Sequence, residues 1–445
     1  MEPEKKRAIE WIDDQSDRLI NISQEIWDFA ELGLEEFKSS ALLVKVLRDA
    51  GFNVEEGVSG MPTAFVATWG EGKPNIGILA EYDALPQCGV DGDGPGHGCG
   101  HNLLGTSSVA AAIAVKTALE GSGIDGSIML FGTPAEETLT GKVYMARDGV
   151  FSKADKIISW HPGKENAVMC LASLAMDSVA YEFIGKSAHA AFAPFDARSA
   201  LDAVETMNYA ANHLREHLPR GGMLHYVITN GGIYPNVVPP YARCWYFIRA
   251  HNRTEVKLIV ERLKRCAEGA AHATETELKV TTLAGVYDSL PLEAAAQIMH
   301  ANLGDIPPPK FTEDEKKFPK EKFGYSEPDE TVTGPFVEGV GNWSTDLGNV
   351  SWQVPFSACN ITCHAPETPA HHHTATEQYR MGIGQKGMLY AAKILAVTAL
   401  DYFLKPEYLR RVRQEWESKT KGFVYDPVVP MDQKPPKISI ASSGS

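Results

Sequence analysis

The sequence predicts an α/β protein with a mixed, largely parallel sheet and an inserted ferredoxin-like α+β module. Three observations carry that prediction. Short apolar runs alternate with helical segments over the first 175 residues, the pattern of strand–helix–strand units. Near residue 176 the pattern changes to β-α-β-β-α-β. After about residue 287 the chain returns to the first unit.

Taken in order, the first 55 residues read as helical. Leu42, Leu43, Val46 and Leu47 fall at helical spacing, and Gly51 ends that run. Ile76 to Ala80 is a short strand that runs into Glu81-Tyr82-Asp83. Ser107 to Leu119 is an Ala-rich buried helix, Ile128 to Phe131 a strand, and Lys156 to Trp160 another strand ending at His161. The inserted module, residues 176–286, has strands at 179–184, 224–229, 243–249 and 277–283, with helices at 199–218 and 254–271. Residues 287–421 complete the first unit. Within them, 305–335 is rich in Pro, Lys and Glu and predicts an irregular surface excursion. Gly387 to Phe403 is the last clear helix. Residues 422–445 are expected to form an irregular tail with a disordered end. No internal repeat is visible.

At 445 residues the chain is long enough for roughly two or three domains of ~150 residues. Hydrophobic residues make up 44% and charged residues 22%, which suits a globular protein. No run is read as the ~20 apolar residues of a membrane helix. No secretory signal is expected from Met1-Glu2-Pro3-Glu4-Lys5-Lys6-Arg7. A net charge of −15 with no long basic stretch argues against a nucleic-acid partner. Seven irregularly spaced cysteines argue against a disulfide scaffold and for a reducing compartment, here the cytoplasm.

The chemistry-bearing residues follow the strands, where open α/β sheets bind ligands. Gly96-His97-Gly98-Cys99-Gly100-His101-Asn102 places a thiol and an imidazole two residues apart. An extended turn points both the same way, and Gly100 allows backbone to approach an ion closely. The plain alternative is a glycine-rich turn with a packed thiol. Glu136 and Glu137 are adjacent, so their side chains diverge. One can ligate while the other acts as a base. In an ordinary surface loop both would simply be solvated. His161 could be a sheet-end histidine and nothing more. His371-His372-His373 offers three candidates, of which at least two should be bystanders. Asp83 either ends a strand or orients a histidine from behind. Together, thiol, imidazole and carboxylate form a donor set for a borderline-soft divalent metal.

Several motifs together resemble the aminoacylase/carboxypeptidase-G-like metallopeptidases. They are Glu25-Ile26-Trp27, Glu31-Leu32-Gly33-Leu34-Glu35-Glu36, Glu81 to Pro86, His97 to Asn102, Gly132 to Glu137 and Gly185 to Ala190. The similarity runs from about residue 10 to 415. Within the family it is to the amidohydrolase branch, nearest its members that cleave aminobenzoyl amino acids and unusual dipeptides. The resemblance implies a zinc-peptidase-like catalytic domain with a lid that also dimerises. It implies Cys99, His101, Glu137, His161 and His371 as ligands of two divalent ions, zinc or manganese, and Glu136 as general base. It further implies that His189 reaches a partner subunit's site, and that Asn236 and Arg249 hold the free carboxylate of a small-molecule substrate. For Arg249 the plain alternative is a surface salt bridge, and for Asn236 a turn. Some members work with a second kind of subunit, so a hetero-subunit is possible on this reading. Two positions depart from the family pattern. Ala30 stands where proline is common, and Asn349 where aspartate often stands.

The expected reaction is metal-dependent hydrolysis of the amide bond in an N-acyl or aminobenzoyl amino acid or an unusual dipeptide. Amide formation or acyl transfer on the same site is the alternative. A cysteine hydrolase built on Cys99 and His101 is a further rival, separable by a chelator. A scaffold protein that kept only the fold is disfavoured by the retained ligand set.

Overall fold

The computed structural model describes residues 1–333 and 339–436. The N-terminal helical region is three helices, α1 (Pro3–Asp14), α2 (Ser16–Phe29) and α3 (Phe37–Asp49), followed by a short strand β1 (Asn53–Glu56). Next come β2 (Phe65–Glu71), β3 (Asn75–Ala80), α4 (His101–Leu119), β4 (Gly126–Gly132), α5 (Gly141–Arg147), β5 (Lys156–Gly163) and β6 (Ala167–Met169). The helix expected from Ser107 thus starts six residues earlier, at His101. Gly100 takes the left-handed conformation (φ +76°) that opens it.

The second unit contains β7 (Ala175–Ile184), α6 (Ala200–Leu214), β8 (Met223–Asn230), β9 (Tyr241–Ala250), α7 (Arg253–Thr274) and β10 (Glu277–Val286). Its four strands are antiparallel in the order β10-β7-β9-β8, the ferredoxin-like arrangement. The helices α6 and α7 pack on one face over a core that includes Val179, Phe183, Met207 and Leu263.

The chain then adds α8 (Glu293–Asp305), α9 (Glu313–Phe323), α10 (Leu347–Ser351), β11 (Phe356–Thr362), α11 (His373–Arg380), α12 (Gly382–Leu404) and α13 (Pro406–Lys419). α9 corrects the expected irregular excursion over 305–335. Thr312 and Glu315 form a capping box, which stabilises a helix in a segment with almost no apolar face. β11 had no distinct signal in the sequence. It lies parallel to β5 and extends the large sheet, whose order is β1-β2-β4-β3-β5-β11-β6.

The four central strands, β4, β3, β5 and β11, are parallel. Alternate residues face opposite layers. Ile128 and Leu130 join a core with α1, α4 and α12, while Met129 and Phe131 join one with α5 and α10. Burial on both faces explains the near-continuous apolar runs of these strands. α4 and α12 are both long and apolar enough to cross a membrane, contrary to the expectation that no such run exists. Of their most apolar windows, 89% and 83% is buried inside the protein, which makes them core helices.

The tail is irregular up to Pro436 but packed. Val429 is buried, Gln433 donates to Tyr144 Oη (3.1 Å) and to the Thr282 carbonyl (2.9 Å), and Arg147 donates to the Gln433 carbonyl (2.6 Å). The disorder expected for the chain end concerns residues 437–445, outside the described residues.

Candidate metal centre

The carboxyl ends of β3, β4 and β5 converge on one cleft, joined there by the N-terminus of α4. Cys99 Sγ lies 3.3 Å from His161 Nε2. The donor atoms of Cys99, His101 and His161 lie within 4.8 Å of one another, as do those of Cys99, Glu137 and His371. All five residues expected to be ligands therefore meet, with Cys99 common to two groups of three. His371 is the member of the triple-histidine run that does so, with Nε2 3.4 Å from Glu137 Oε2. His372 instead caps α11, accepting from Thr374 N–H through Nδ1.

The ring orientations are fixed from behind. His101 Nδ1 donates to Asp83 Oδ1 at 2.8 Å, which leaves the Nε2 lone pair facing the cleft. The other Asp83 oxygen accepts from Glu137 N–H at 3.0 Å. His161 Nδ1 donates to the Pro162 carbonyl at 2.7 Å, so its Nε2 also faces inward. His101 Nε2 and Glu137 Oε1 are buried with no hydrogen-bond partner. Glu81 Oε2 is 3.4 Å from His101 Nε2, but not in hydrogen-bonding geometry. Buried polar atoms left unpaired are costly. A divalent cation would satisfy both, and the sulfur, nitrogen and oxygen donor set fits such an ion.

Glu136 accepts from Thr345 Oγ1 at 2.9 Å. Burial, together with the charges of Glu81, Asp346 and Glu137, pushes its carboxyl well above the ordinary range. Burial and the charge of Glu137 likewise raise the Cys99 thiol, while burial pushes His161 down to about 4. Burial alone would lower His101, but Cys99 and Asp83 outweigh it and hold its pKa well above normal.

Sequence reasoning assigned no role to five residues that build this cleft. Lys142 is fully buried, and its Nζ lies 2.8 Å from Glu81 and 2.6 Å from Asp346. Thr345 holds Glu136. Glu36 accepts from Thr63 Oγ1 (2.9 Å) and Ala135 N–H (2.8 Å), and so holds the turn that carries both glutamates. Glu36 and Glu81 stood inside recognised motifs, a signal that was available. Lys142 and Thr345 carried none. The loop containing Glu36 is itself pinned, because Glu31 caps α3 through Lys38 and Ser39 N–H. The two departures from the family pattern also become intelligible. Ala30 sits at φ +44° and donates its N–H to the Ile26 carbonyl, neither of which a proline can do. Asn349 donates to the Gly285 carbonyl and Tyr425 Oη and accepts from Tyr287 N–H, a structural role away from the cleft.

The remaining three expected site residues are elsewhere. His189 and Asn236 are exposed on adjoining loops of the small unit, tied by a bridge between His189 and Val237. Among the described residues, His189 Nδ1 accepts only from Ala191 and Phe192 N–H, both at 3.2 Å. Arg249, on β9, donates to Ser344 Oγ at 2.6 Å. None of the three bonds to the Cys99–His101 cluster.

Residues 174–275 match the M20 peptidase dimerisation domain. The chain is 37% identical to a p-aminobenzoyl-glutamate hydrolase subunit of Escherichia coli, covering 94% of this chain and 96% of that one. It is 33% identical to mouse Xaa-Arg dipeptidase, over 93% and 92% of the two chains. The chain belongs to the M20 peptidase family. As a member of that family it is an enzyme that hydrolyses amide bonds. In fold it resembles an aminobenzoyl-glutamate utilization protein from Klebsiella pneumoniae (TM-score 0.66, 17% identity, 88% and 97% covered). It also resembles a dinuclear metal-binding M20 peptidase from Bacillus subtilis (TM-score 0.56, 16% identity, 88% and 99% covered).

Proposed function

We propose that this M20 enzyme cleaves the amide bond of an N-acyl or aminobenzoyl amino acid, or of an unusual dipeptide, using two divalent ions, zinc or manganese. The observation that carries this reading is the unpaired, buried donor set of His101 and Glu137 beside Cys99, His161 and His371, with Glu136 alongside. Those five residues would hold the ions. When bound, the ions supply Lewis acidity, lowering the pKa of a water and polarising the amide carbonyl. Glu136 takes the proton of the attacking water and passes it to the leaving nitrogen, a task suited to a carboxyl of raised pKa. Asp83 keeps the His101 tautomer and the Glu137 backbone in place. Arg249 and Asn236 hold the substrate's free carboxylate, and His189 of the partner subunit donates to the developing oxyanion.

The reading includes a homodimer through the small unit, supported by the match to a dimerisation domain and by the exposure of His189. A second kind of subunit is kept open by the Escherichia coli relative, whose own name makes it one subunit of a hydrolase. A cytoplasmic location is supported by the seven cysteines, none of which forms a disulfide.

The test is a hydrolysis screen of N-acyl amino acids, p-aminobenzoyl-glutamate, β-alanyl dipeptides and dipeptides ending in arginine. Chelation should abolish turnover, and zinc or manganese should restore it. Full activity in metal-free protein would reject the metal and favour Cys99 as a nucleophile.

A further inference from the structure

Arg249 is half-buried at the seam between the two units, yet no carboxylate pairs with it among the described residues. Its guanidinium lies 5.7 Å from the Phe247 ring and donates to one neutral acceptor, Ser344 Oγ. The next residue, Thr345, turns the other way and donates to Glu136 Oε1. The segment bearing both hydroxyls is anchored at each end. The Trp343 carbonyl accepts from Leu174 N–H at 2.8 Å. Asp346 is buried and held by Lys142, through its backbone N–H (3.0 Å) and its ammonium (2.6 Å). Two consecutive hydroxyls between fixed anchors thus link a cation of the lid to a carboxylate of the cleft.

We propose that Ser344 and Thr345 are positioning residues on one fixed segment, Ser344 holding Arg249 ready for the substrate's carboxylate and Thr345 orienting Glu136. Ser344 occupies Arg249 until the substrate's carboxylate displaces it, since a charged acceptor bonds a guanidinium more strongly than a hydroxyl does. Thr345 engages one oxygen of Glu136 and leaves the other to face the attacking water. A substrate without a free carboxylate leaves Ser344 on Arg249. This inference rests on the proposed hydrolysis and on Arg249 as the carboxylate's partner.

The experiment compares wild type, Glu136→Gln, Thr345→Val, Thr345→Ser and Ser344→Ala, each loaded with metal. Thr345→Val should lower kcat on the order of 10- to 100-fold, as misplacement of a reacting group does. Its KM and metal content should stay unchanged, and Thr345→Ser should recover most of the rate. Binding is read separately by calorimetry in the inactive, metal-loaded Glu136→Gln background. There, adding Ser344→Ala should tighten benzoylglycine by about 3- to 10-fold, the worth of one competing hydrogen bond. It should leave benzoylglycinamide unchanged. Wild-type kcat in Thr345→Val overturns the orienting role. Equal effects of Ser344→Ala on acid and amide, or none on either, overturn the displacement. If Glu136→Gln itself turns over normally, the reading of the cleft fails. If it is inactive while Thr345→Val is not, the cleft reading stands and only the positioning role of Thr345 fails.

Discussion

The cleft and the lid hold their expected site residues in opposite physical states. In the cleft, most groups are buried and held by a neighbour: His101 by Asp83, Glu137 N–H by Asp83, Glu136 by Thr345, and Asp346 by Lys142, with His371 at the exposed rim. On the lid, His189 and Asn236 stand on exposed loops flanked by Phe192, Phe195 and Ile233, which are 89–90% exposed. Large apolar side chains this exposed mark a surface that meets something else. One chain therefore brings its expected metal donors together in a finished half and leaves the proposed second half, with His189 and Asn236, facing outward.

The largest effect should come from the finished half. Glu136→Gln should keep its metal and lose turnover by roughly 10²- to 10⁴-fold, the usual cost of removing a general base. Glu137→Gln should instead lose metal, because it removes a donor atom that has no other buried partner. Metal analysis showing Glu136→Gln stripped and Glu137→Gln loaded would reverse the two roles.

The second test concerns the outward-facing half. His189→Ala and Glu136→Gln homodimers should each be nearly inactive. A heterodimer has one site with both defects and one with neither, provided the two residues of a site come from different chains. Random exchange at equal amounts should then restore about a quarter of the sites. No recovery despite demonstrated exchange would place His189 in its own chain's site, or outside catalysis.

The same contrast explains what could be read from the sequence. Candidate donor types are legible because metal chemistry restricts them to few residues, so Cys99, His101, His161 and the Glu136–Glu137 pair stand out by type and position, while the choice of Glu137 over Glu136 as a ligand comes only from family resemblance. His371 was separable from His372 and His373 only through family resemblance. The structure separates them because His371 lies in the left-handed region (φ +56°), next to His372 at the N-cap of α11. Of the residues that brace the expected ligands, Asp83 is legible at its strand end, but Lys142 and Thr345 are hidden, since a buried lysine or threonine looks the same in sequence as an exposed one. Lys142 meets Asp346 across 204 positions, and no local pattern records that. β11 was missed because Phe356–Thr362 mixes apolar with small polar residues that are buried only through its neighbours β5 and β6.

Two buried lysines sharpen the contrast between the cleft and the rest of the sheet. Lys142 sits between two carboxylates. Lys156, at the opposite end of β5 from His161, has no counter-ion among the described residues. It donates to the Ile157 carbonyl and Ser357 Oγ, and burial lowers its pKa well below normal. Lys142→Met should destabilise the fold by about 3–5 kcal/mol, because it leaves Asp346 and Glu81 buried without their cation. Lys156→Met should be neutral or stabilising, since it strands no charge. Denaturant midpoints would check both. Equal losses would mean that the cleft's charges are not matched to each other in the way the distances indicate.

The smallest expected effect lies behind the cleft, at Glu36. Burial and the charge of Asp83 push its carboxyl from 4.5 up to about 8. Between those values the folded protein keeps a proton that the unfolded chain has released. The folded state therefore binds more protons there, and stability falls as pH rises. The contribution is fully present below about pH 4.5 and lost as pH passes through about 8. Glu36→Gln removes the titration while keeping an acceptor for Ala135 N–H and Thr63. The variant should flatten the decline in denaturant midpoint between pH 5 and 9. An unchanged pH slope would mean that Glu36 stays ionised throughout, with its charge met by the two donors it already has.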